Sequence, residues 1–395
     1  MVSADATDGS YTATFTGLDY GYYVVAVPGA TLANASGQYA TLVSVDSTNV
    51  TANIKGDLPT VDKKVQVGGT GKDATDAKIG DTLTFTLTST IPDMSAYDTY
   101  TFNFKDTLSQ GLTFGQVTSV TVEGVTDPLT VNTDYTVTTP TTSDNTLTVS
   151  MKDFKKQQAN AGKKITVTYT ATLNEKAVVG GVGNTNSAKI QYSNNPSSDG
   201  TGESEPSKVR VFTYGFTVDK YTGDEYDDDA TRLAGAEFTL APKNGTAMSF
   251  VQVDAGSATA NAVYRVAKAG ETDTTTTITT PANGKVVFRG LENGEYTLTE
   301  TKAPAGYNKL ASAIGVKVDG KNDGTDTTDA TVAITYDNDN GSDYDQTASN
   351  GVIPVQNKSG AILPGTGGMG TIAFTVIGVL VIALGVAWTL KRKNA

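Results

Sequence analysis

The sequence contains no cysteine and no histidine, and its single tryptophan, Trp388, lies close to the C-terminus. Without cysteine there are no disulfides, no thiolate nucleophiles and no thiolate zinc sites. Without histidine the chain lacks the usual general base of hydrolases and the commonest metal ligand. These two absences exclude most conventional enzyme classes, so we expect no enzyme, no cofactor and no metal site.

Positive charge is also scarce. The 395 residues include 30 basic and 42 acidic side chains, which gives a net charge of −12. A nucleic-acid-binding protein needs a basic surface, so this balance argues against a nucleic-acid partner. At roughly 150 residues per domain, the length suggests two to four domains.

Short alternating runs rich in threonine and valine fill most of the chain, and glycine, asparagine and aspartate separate them. Alternation with a period of two is the pattern of a strand with one buried face. The sequence therefore predicts an all-β protein.

The C-terminal end carries an uncharged stretch, residues 371–390, followed at once by the basic residues 391–393. Twenty such residues in a helix can cross a hydrocarbon core of roughly 30 Å. The basic residues behind it indicate the cytoplasmic side. Hydropathy alone is equally compatible with an ordinary single-pass anchor.

A short motif just upstream narrows this choice: Leu363, Pro364, Gly365, Thr366 and Gly367. Together with the apolar stretch and basic tail it resembles the LPxTG cell-wall sorting signal of Gram-positive surface proteins. The resemblance implies that a sortase cleaves after Thr366 and that the acyl group passes to an amine. The membrane segment would then be transient, and the mature protein would be attached to peptidoglycan at the cell surface.

An internal repeat with the pattern F-x-G-L-x-x-G-x-Y occurs at residues 15–23 and 288–296. Each copy predicts a strand, a glycine-containing turn and a second strand. The later copy continues through Glu300 and resembles the CNA-B (SpaA-type) domain with its E-box, whereas Val27 occupies the matching position of the first copy. Residues 1–10 do not look like a signal peptide, so we expect the chain to be a fragment.

The predicted organisation is a row of tandem Ig-like sandwiches of CNA-A and CNA-B type, followed by a transmembrane sorting helix. Its four parts are the end of a truncated CNA-B-like domain (1–57), a middle domain (58–211), a CNA-B domain (212–360) and the sorting signal (361–395).

Polar residues occur on strand faces that are otherwise apolar. Lys63 alternates with valines, and Lys220 follows Phe216 and Val218 on one face. Five further polar residues share a strand face with apolar ones: Asp106, Asn184, Asn186, Glu300 and Asn357. A desolvated lysine loses its proton more easily, and a desolvated acid keeps its own. Two interpretations follow: a Lys–Asn isopeptide bond promoted by the acid, or a buried lysine–carboxylate ion pair beside a structural asparagine.

These motifs together resemble the backbone pilins of sortase-assembled Gram-positive pili. The resemblance implies a bond between Lys63 and Asn184 in the middle domain, with Asp106 as catalytic acid and Asn186 as the alternative. In the last domain it implies a bond between Lys220 and Asn357, with Glu300 as the acid.

In that family, polymerisation joins the sorting-signal threonine to a lysine near a domain boundary. Lys55 is the candidate, and an ordinary surface lysine is the other interpretation.

The implied function is a pilus shaft subunit whose partners are pilus-type and housekeeping sortases, identical subunits and peptidoglycan. A wall-anchored adhesin or tip pilin with a host ligand is the first alternative, and a surface glycosidase that uses paired carboxylates is the second.

The acidic loops 224–229 and 337–345 are compatible with calcium binding or with plain solvation.

Overall fold

The structure is a computed structural model. It describes residues 2–4, 11–26, 40–48, 50, 58–66, 70–95, 97–194, 199–322, 324–325, 329–338 and 343–359. Within these residues the regular structure is almost entirely β-strand, with one short 3₁₀ helix at Phe154–Asn160. The prediction of an all-β protein is confirmed. The predicted sorting helix at 371–390 lies outside the described residues.

Two antiparallel hairpins form the N-terminal part. β1 (Val2–Ala4) pairs with β2 (Tyr11–Ala13), and β3 (Gly21–Ala26) pairs with β4 (Ala40–Val45). The second half of the first repeat copy lies in β3, whereas Phe15 at its start lies outside a strand.

Two facing sheets form the middle sandwich. In spatial order, the larger sheet contains β10 (Tyr135–Thr138), β11 (Thr146–Met151), β8 (Phe102–Leu108), β13 (Asn184–Ser193), β15 (Ser207–Phe212) and β6 (Ala74–Asp76), with β14 (Thr201–Glu203) beside β13. The smaller sheet contains β5 (Asp62–Gln66), β7 (Thr82–Thr90), β12 (Lys164–Leu173) and β9 (Leu112–Val122). Among these described strands, β15 and β6 run parallel and the other paired strands are antiparallel.

Alternation explains how the core of this sandwich forms. On β7, Leu83, Phe85 and Leu87 are fully buried, while the threonines between them lie at the surface or half-buried. The other sheet contributes Phe102 and Phe104 from β8 to the same core. Each fully buried side chain of this size stabilises the fold by about 1.5–3 kcal/mol.

The C-terminal sandwich also has two sheets. The first contains β17 (Thr231–Arg232), β16 (Tyr214–Thr222), β23 (Lys285–Leu291), β20 (Ala262–Val266), β19 (Phe250–Asp254) and β21 (Thr274–Thr275), with β28 (Val352–Gln356) on the free side of β16. The second contains β22 (Ile278–Thr279), β18 (Glu237–Pro242), β24 (Gly294–Lys302), β25 (Ile314–Lys321), β26 (Thr331–Asp337) and β27 (Gln346–Thr347).

The first and last strands of this sandwich are neighbours. β16 and β28 run parallel, and Lys220 lies opposite Val355 in their register. Parallel neighbours need a long connection, which here is the whole of the rest of the sandwich. A side chain at the end of β16 is therefore close to the residues that follow β28.

Thr213 links the two sandwiches and is fully buried, with its hydroxyl donating to the carbonyl of Leu291 at 3.0 Å. The amide of Ile79 donates to the carbonyl of Gly290 at 3.0 Å. Gly290 has φ of +83°, and a Cβ there would lie 2.5 Å from the Ile79 side chain, so glycine suits both the backbone and the close approach. The two sandwiches thus meet at a hydrogen-bonded boundary.

Candidate functional site

Four polar side chains meet inside the middle sandwich. Lys63 of β5 and Tyr169 of β12 come from the smaller sheet, and Asp106 of β8 and Asn186 of β13 come from the larger one. All four are fully buried. The period-two alternation of each strand turns its polar residue toward the same core as its apolar neighbours.

The four side chains form one hydrogen-bonded cluster. The Lys63 ammonium donates to Asp106 Oδ2 in a very short contact and to the Tyr169 hydroxyl at 3.1 Å. The Tyr169 hydroxyl donates to Asp106 Oδ2 at 2.6 Å, and Asn186 Nδ2 donates to the Tyr169 oxygen at 2.6 Å. The structure therefore brings a lysine, an acid and an asparagine together, with a tyrosine between them.

Two oxygen atoms in this cluster, Asp106 Oδ1 and Asn186 Oδ1, make no hydrogen bond among the described residues. Burial lowers the pKa of the Lys63 amine, and the adjacent Asp106 opposes that shift. A lowered pKa favours the neutral, nucleophilic amine. The cluster is thus not a fully satisfied ion pair, since two of its acceptor oxygens have no hydrogen-bond partner among the described residues.

The other asparagine of β13, Asn184, makes its hydrogen bonds to backbone groups outside this cluster. Asn184 Oδ1 accepts the Val178 amide at 2.9 Å, and its Nδ2 donates to the carbonyls of Val178 and Val211, both at 3.1 Å. These bonds hold the loop before β13 against β15. Of the two asparagines that the sequence left open, Asn186 is the one whose amide joins the cluster around Lys63.

The C-terminal sandwich has a second cluster of the same composition. Lys220 lies on β16, Glu300 on β24 of the facing sheet, and Asn357 directly after β28. Their side chains are fully or almost fully buried. The structure thus brings these three predicted residues together in the interior of the sandwich.

The contacts in this second cluster are direct. Lys220 Nζ lies 3.5 Å from Glu300 Oε1 and donates to the Val355 carbonyl at 3.1 Å. Asn357 Nδ2 donates to Glu300 Oε2 at 3.1 Å and to the Asn308 carbonyl at 2.7 Å. Burial lowers the pKa of Lys220 to about 8, although Glu300 opposes the shift.

Two acceptors in this cluster, Glu300 Oε1 and Asn357 Oδ1, again make no hydrogen bond among the described residues. Glu300 Oε2, by contrast, also accepts the Leu310 amide at 2.7 Å. Glu300 Oε1 is nevertheless the oxygen that faces Lys220, at 3.5 Å. In both clusters, the carboxamide oxygen of the asparagine makes no hydrogen bond among the described residues.

Tyr169 is the functional side chain that the sequence interpretation missed. β12 alternates Ile165, Val167, Tyr169, Ala171 and Leu173 on its buried face. That pattern predicts an inward tyrosine, but it does not show that the hydroxyl meets Lys63.

The remaining predicted positions lie outside the described residues: Lys55, Leu363, Pro364, Gly365, Thr366 and Gly367. Within the described ranges no helix is long and apolar enough to cross a membrane. The same residues contain no group of three or more acidic side chains arranged to hold a metal ion, and the loop at 224–229 is among them.

Three family models match successive parts of the chain. Residues 79–196 match the Gram-positive pilin backbone subunit 2, Cna-B-like domain, and residues 219–334 match the prealbumin-like fold domain of the SpaA type. Residues 355–395 match the LPXTG cell wall anchor motif. The chain therefore carries, in order, domains that match a Gram-positive pilin backbone, a SpaA-type prealbumin-like fold and an LPXTG anchor. The anchor match indicates a surface protein attached to the cell wall of a Gram-positive bacterium.

Two curated relatives support this assignment. The trypsin-resistant surface T6 protein of Streptococcus pyogenes is 26% identical over 277 residues, which cover 65% of this chain and 45% of the relative. The fimbrial subunit type 2 of Actinomyces naeslundii is 28% identical over 266 residues, covering 60% of this chain and 46% of the relative. This pilin chain therefore spans less than half of each relative's length.

Solved structures share the fold. A C-terminal fragment of the major pilin of Streptococcus agalactiae superposes with a TM-score of 0.54 at 23% identity, covering 76% of this chain and all of the fragment. The full-length major pilin of Streptococcus pneumoniae gives a TM-score of 0.53 at 17% identity, covering 91% of this chain and 90% of its own. At these identities the likeness establishes the fold of this pilin and nothing finer.

Proposed function

We propose that this chain is a shaft subunit of a sortase-assembled pilus, and that each of its two complete sandwiches forms an internal Lys–Asn isopeptide bond. The observation that carries the proposal is the repeated buried cluster of lysine, acid and asparagine. It occurs once in each sandwich, and within the part of the chain that the structure describes, the carboxamide oxygen of each asparagine has no hydrogen-bond partner. We take residues 58–211 and 212–360 as the two cross-linked domains.

In the middle domain the bond joins Lys63 Nζ to Cγ of Asn186. Asp106 takes a proton from the ammonium, and the neutral amine then attacks the carboxamide carbon. The protonated acid donates to Asn186 Oδ1 as negative charge develops there, and ammonia leaves. We assign the bond to Asn186 rather than Asn184 because the Asn184 amide is held by Val178 and Val211.

In the C-terminal domain the bond joins Lys220 Nζ to Cγ of Asn357. Glu300 contacts both partners, through Oε1 to Lys220 and through Oε2 to the Asn357 amide. The parallel pairing of β16 with β28 brings the two reacting residues to the same end of the sheet. Glu300 reaches them from the facing sheet and supplies the proton transfers.

Cross-links of this kind suit a fibre under tension. A covalent link that closes a loop of roughly 100 residues stabilises a fold by about 5 kcal/mol in the chain-entropy picture. The bond between Lys220 and Asn357 also ties the first strand of its domain to the last. Pulling force then passes through a covalent bond instead of through the hydrogen bonds between the two strands.

Assembly requires a donor and an acceptor on every copy, because a head-to-tail contact that does not close produces an open filament. We propose Thr366 as the donor and Lys55 as the acceptor. A pilus-type sortase would join identical subunits through these residues, and a housekeeping sortase would attach the finished fibre to peptidoglycan.

Intact-mass measurement tests the cross-links. The folded wild-type protein is expected to be lighter than its calculated mass by two ammonia molecules, one for each domain. Asn186→Ala and Asn357→Ala should each restore one ammonia mass. Asn184→Ala is the matched control, since it removes an amide from the same strand and face as Asn186 but should leave both bonds formed. A folded wild-type chain of full calculated mass would overturn the proposal.

A further inference from the structure

Tyr169 occupies a central position in the middle cluster. Its hydroxyl oxygen lies 3.1 Å from Lys63 Nζ, 2.6 Å from Asn186 Nδ2 and 2.6 Å from Asp106 Oδ2. Lys63 Nζ is the attacking atom of the proposed bond, and Asn186 Nδ2 is the leaving atom. One hydroxyl therefore touches both nitrogens that must exchange protons.

In the C-terminal cluster, a different group contacts the leaving nitrogen of the asparagine. There Asn357 Nδ2 donates directly to Glu300 Oε2, so the acid itself reaches the leaving nitrogen. In the middle cluster the Asn186 amide donates to Tyr169 instead. The shorter aspartate is thus connected to the leaving amide through the tyrosine hydroxyl.

We propose that Tyr169 is a catalytic residue for the middle cross-link, carrying a proton from the attacking amine of Lys63 to the leaving amide of Asn186. This inference rests on the proposed Lys63–Asn186 bond. It assigns to the middle domain a tyrosine-assisted reaction and to the C-terminal domain a reaction that its glutamate performs alone.

Lys63 first gives one proton to Asp106, and its nitrogen lone pair forms the new bond to Asn186 Cγ. The carbonyl electron pair moves to Oδ1, which takes the proton of Asp106. Tyr169 then accepts one proton from the attacking nitrogen while its own proton passes to Nδ2. The C–Nδ2 bond breaks, ammonia leaves, the carbonyl reforms, and the Oδ1 proton returns to Asp106.

The surroundings of Tyr169 fit this role. Its ring stacks on Phe85 with centroids 5.1 Å apart and an angle of 12° between the planes, which fixes the position of the hydroxyl. Burial holds the pKa of the phenol well above its usual value, so the hydroxyl stays protonated and can both accept and donate. The ammonium of Lys63 also lies over the Phe85 ring, 5.1 Å from its centroid, so the same ring contacts both Tyr169 and Lys63.

The test replaces Tyr169 with phenylalanine, which keeps the ring and its stacking but removes the hydroxyl. The full chain is synthesised in a cell-free reaction, samples are quenched in denaturant over time, and the intact mass is followed. We expect the middle bond to form ~100-fold more slowly or worse, the usual scale for loss of an acid–base group. The C-terminal bond should form at its normal rate and serves as an internal control.

Tyr97→Phe is the matched control, because Tyr97 is a buried tyrosine of the same sandwich whose hydroxyl has no hydrogen-bond partner among the described residues. It should cross-link like the wild type. Tyr169→Phe should also melt no lower than Asn186→Ala, which would show that the packing of the unbonded domain is intact.

The outcomes separate the two proposals. A wild-type chain without the middle mass loss overturns the bond itself, before any tyrosine variant is made. A wild-type chain with the loss, and a Tyr169→Phe chain that bonds at the same rate, overturns only the role of Tyr169. If Tyr169→Phe does not fold, fluorotyrosine at position 169 keeps the shape but changes the acidity of the hydroxyl. An unchanged rate for the middle bond in that protein would equally overturn the inference.

Discussion

Lys63 and Asp106 belong to opposite sheets of the middle sandwich, and their charged groups are in direct contact at its centre with no exposure to solvent. Desolvating two charges costs several kcal/mol per ion, and their attraction offsets this only with good geometry and further hydrogen bonds. Here Asp106 Oδ1 is left without a partner among the described residues. A stability role alone accounts poorly for this pair, whereas conversion of the lysine to an amide would remove its charge from the core.

Each acid is expected to serve only its own domain. Glu300→Ala should abolish the Lys220–Asn357 bond and lower the free energy of unfolding of that domain by about 5 kcal/mol for the lost cross-link. A further loss is expected because a buried lysine is left unpaired. Asp106→Ala should do the same in the middle domain. Intact mass and peptide mapping show whether each isopeptide bond has formed, and thermal unfolding measures the change in stability.

Glu295→Ala is the control for Glu300→Ala. Glu295 lies on the same strand but pairs with Lys243 at the surface, and such pairs contribute about 0–1 kcal/mol. A cross-linked peptide containing Lys220 and Asn357 in the Glu300→Ala protein would contradict the assigned role of Glu300.

An unbonded Lys220 should make stability depend on pH. In Asn357→Ala the amine stays free, with its folded-state pKa lowered by burial to about 8 from an ordinary value of 10.5. Between those two values the unfolded chain carries a proton that the folded chain lacks, so stability rises with pH. Below about pH 8 the amine is protonated in both the folded and the unfolded chain. The free-energy cost of burying the charged amine is then at its maximum and no longer changes with pH.

The stability gap between wild type and Asn357→Ala should therefore narrow as the pH rises from about 8 to about 10.5. Urea unfolding at several pH values measures it. Asn338→Ala, which changes an exposed asparagine, should follow the wild type throughout. A gap that is constant over this window would argue against a buried free amine at Lys220.

The boundary between the sandwiches should depend on Tyr214. Its hydroxyl donates to Asp76 Oδ1 at 2.5 Å, and Asn293 and Asn322 donate to the same carboxylate at 2.9 Å and 3.0 Å. Tyr214→Phe removes a hydrogen bond to a charged group and should cost about 1.5–3 kcal/mol. Chemical unfolding measures the loss, and limited proteolysis should show faster cleavage near residue 213.

Tyr97→Phe is again the control, because its hydroxyl makes no hydrogen bond among the described residues. Equal stability of the two variants would mean that the Asp76 contact does not hold the two sandwiches together.

Polymerisation should depend on Lys55 and Thr366. With a pilus-type sortase the wild-type chain should give a ladder of covalent oligomers on denaturing gels, and Lys55→Ala should remain a monomer. Lys156→Ala, at a lysine of the middle sandwich that is 77% exposed, should still give the ladder.

A ladder that persists in Lys55→Ala would move the acceptor to another lysine. The absence of any ladder from the wild type would favour a wall-anchored adhesin over a shaft subunit.

The sequence predicted much of this site because alternation is a local property. A lysine that shares a strand face with valines has to be buried when that face is buried, and the same holds for Asp106, Glu300 and Asn357. The repeat at 288–296 likewise marked two consecutive strands, β23 and β24. These predictions needed only the period of a strand and the identity of its neighbours.

The sequence could not tell which of Asn184 and Asn186 has its amide in the cluster around Lys63, because that depends on the tertiary structure. Both asparagines lie on one face of β13, about 7 Å apart along the strand, so alternation cannot tell them apart. The register of β13 against β8 places Ala188 opposite Asp106 and Asn186 opposite Leu108. Packing of the facing sheet then brings the Tyr169 hydroxyl to Asn186 and not to Asn184. The sequence by itself determined which side chains are buried, through the two-residue period of each strand. Which buried side chains touch was decided by strand register and sheet packing, because those depend on residues far apart in the chain.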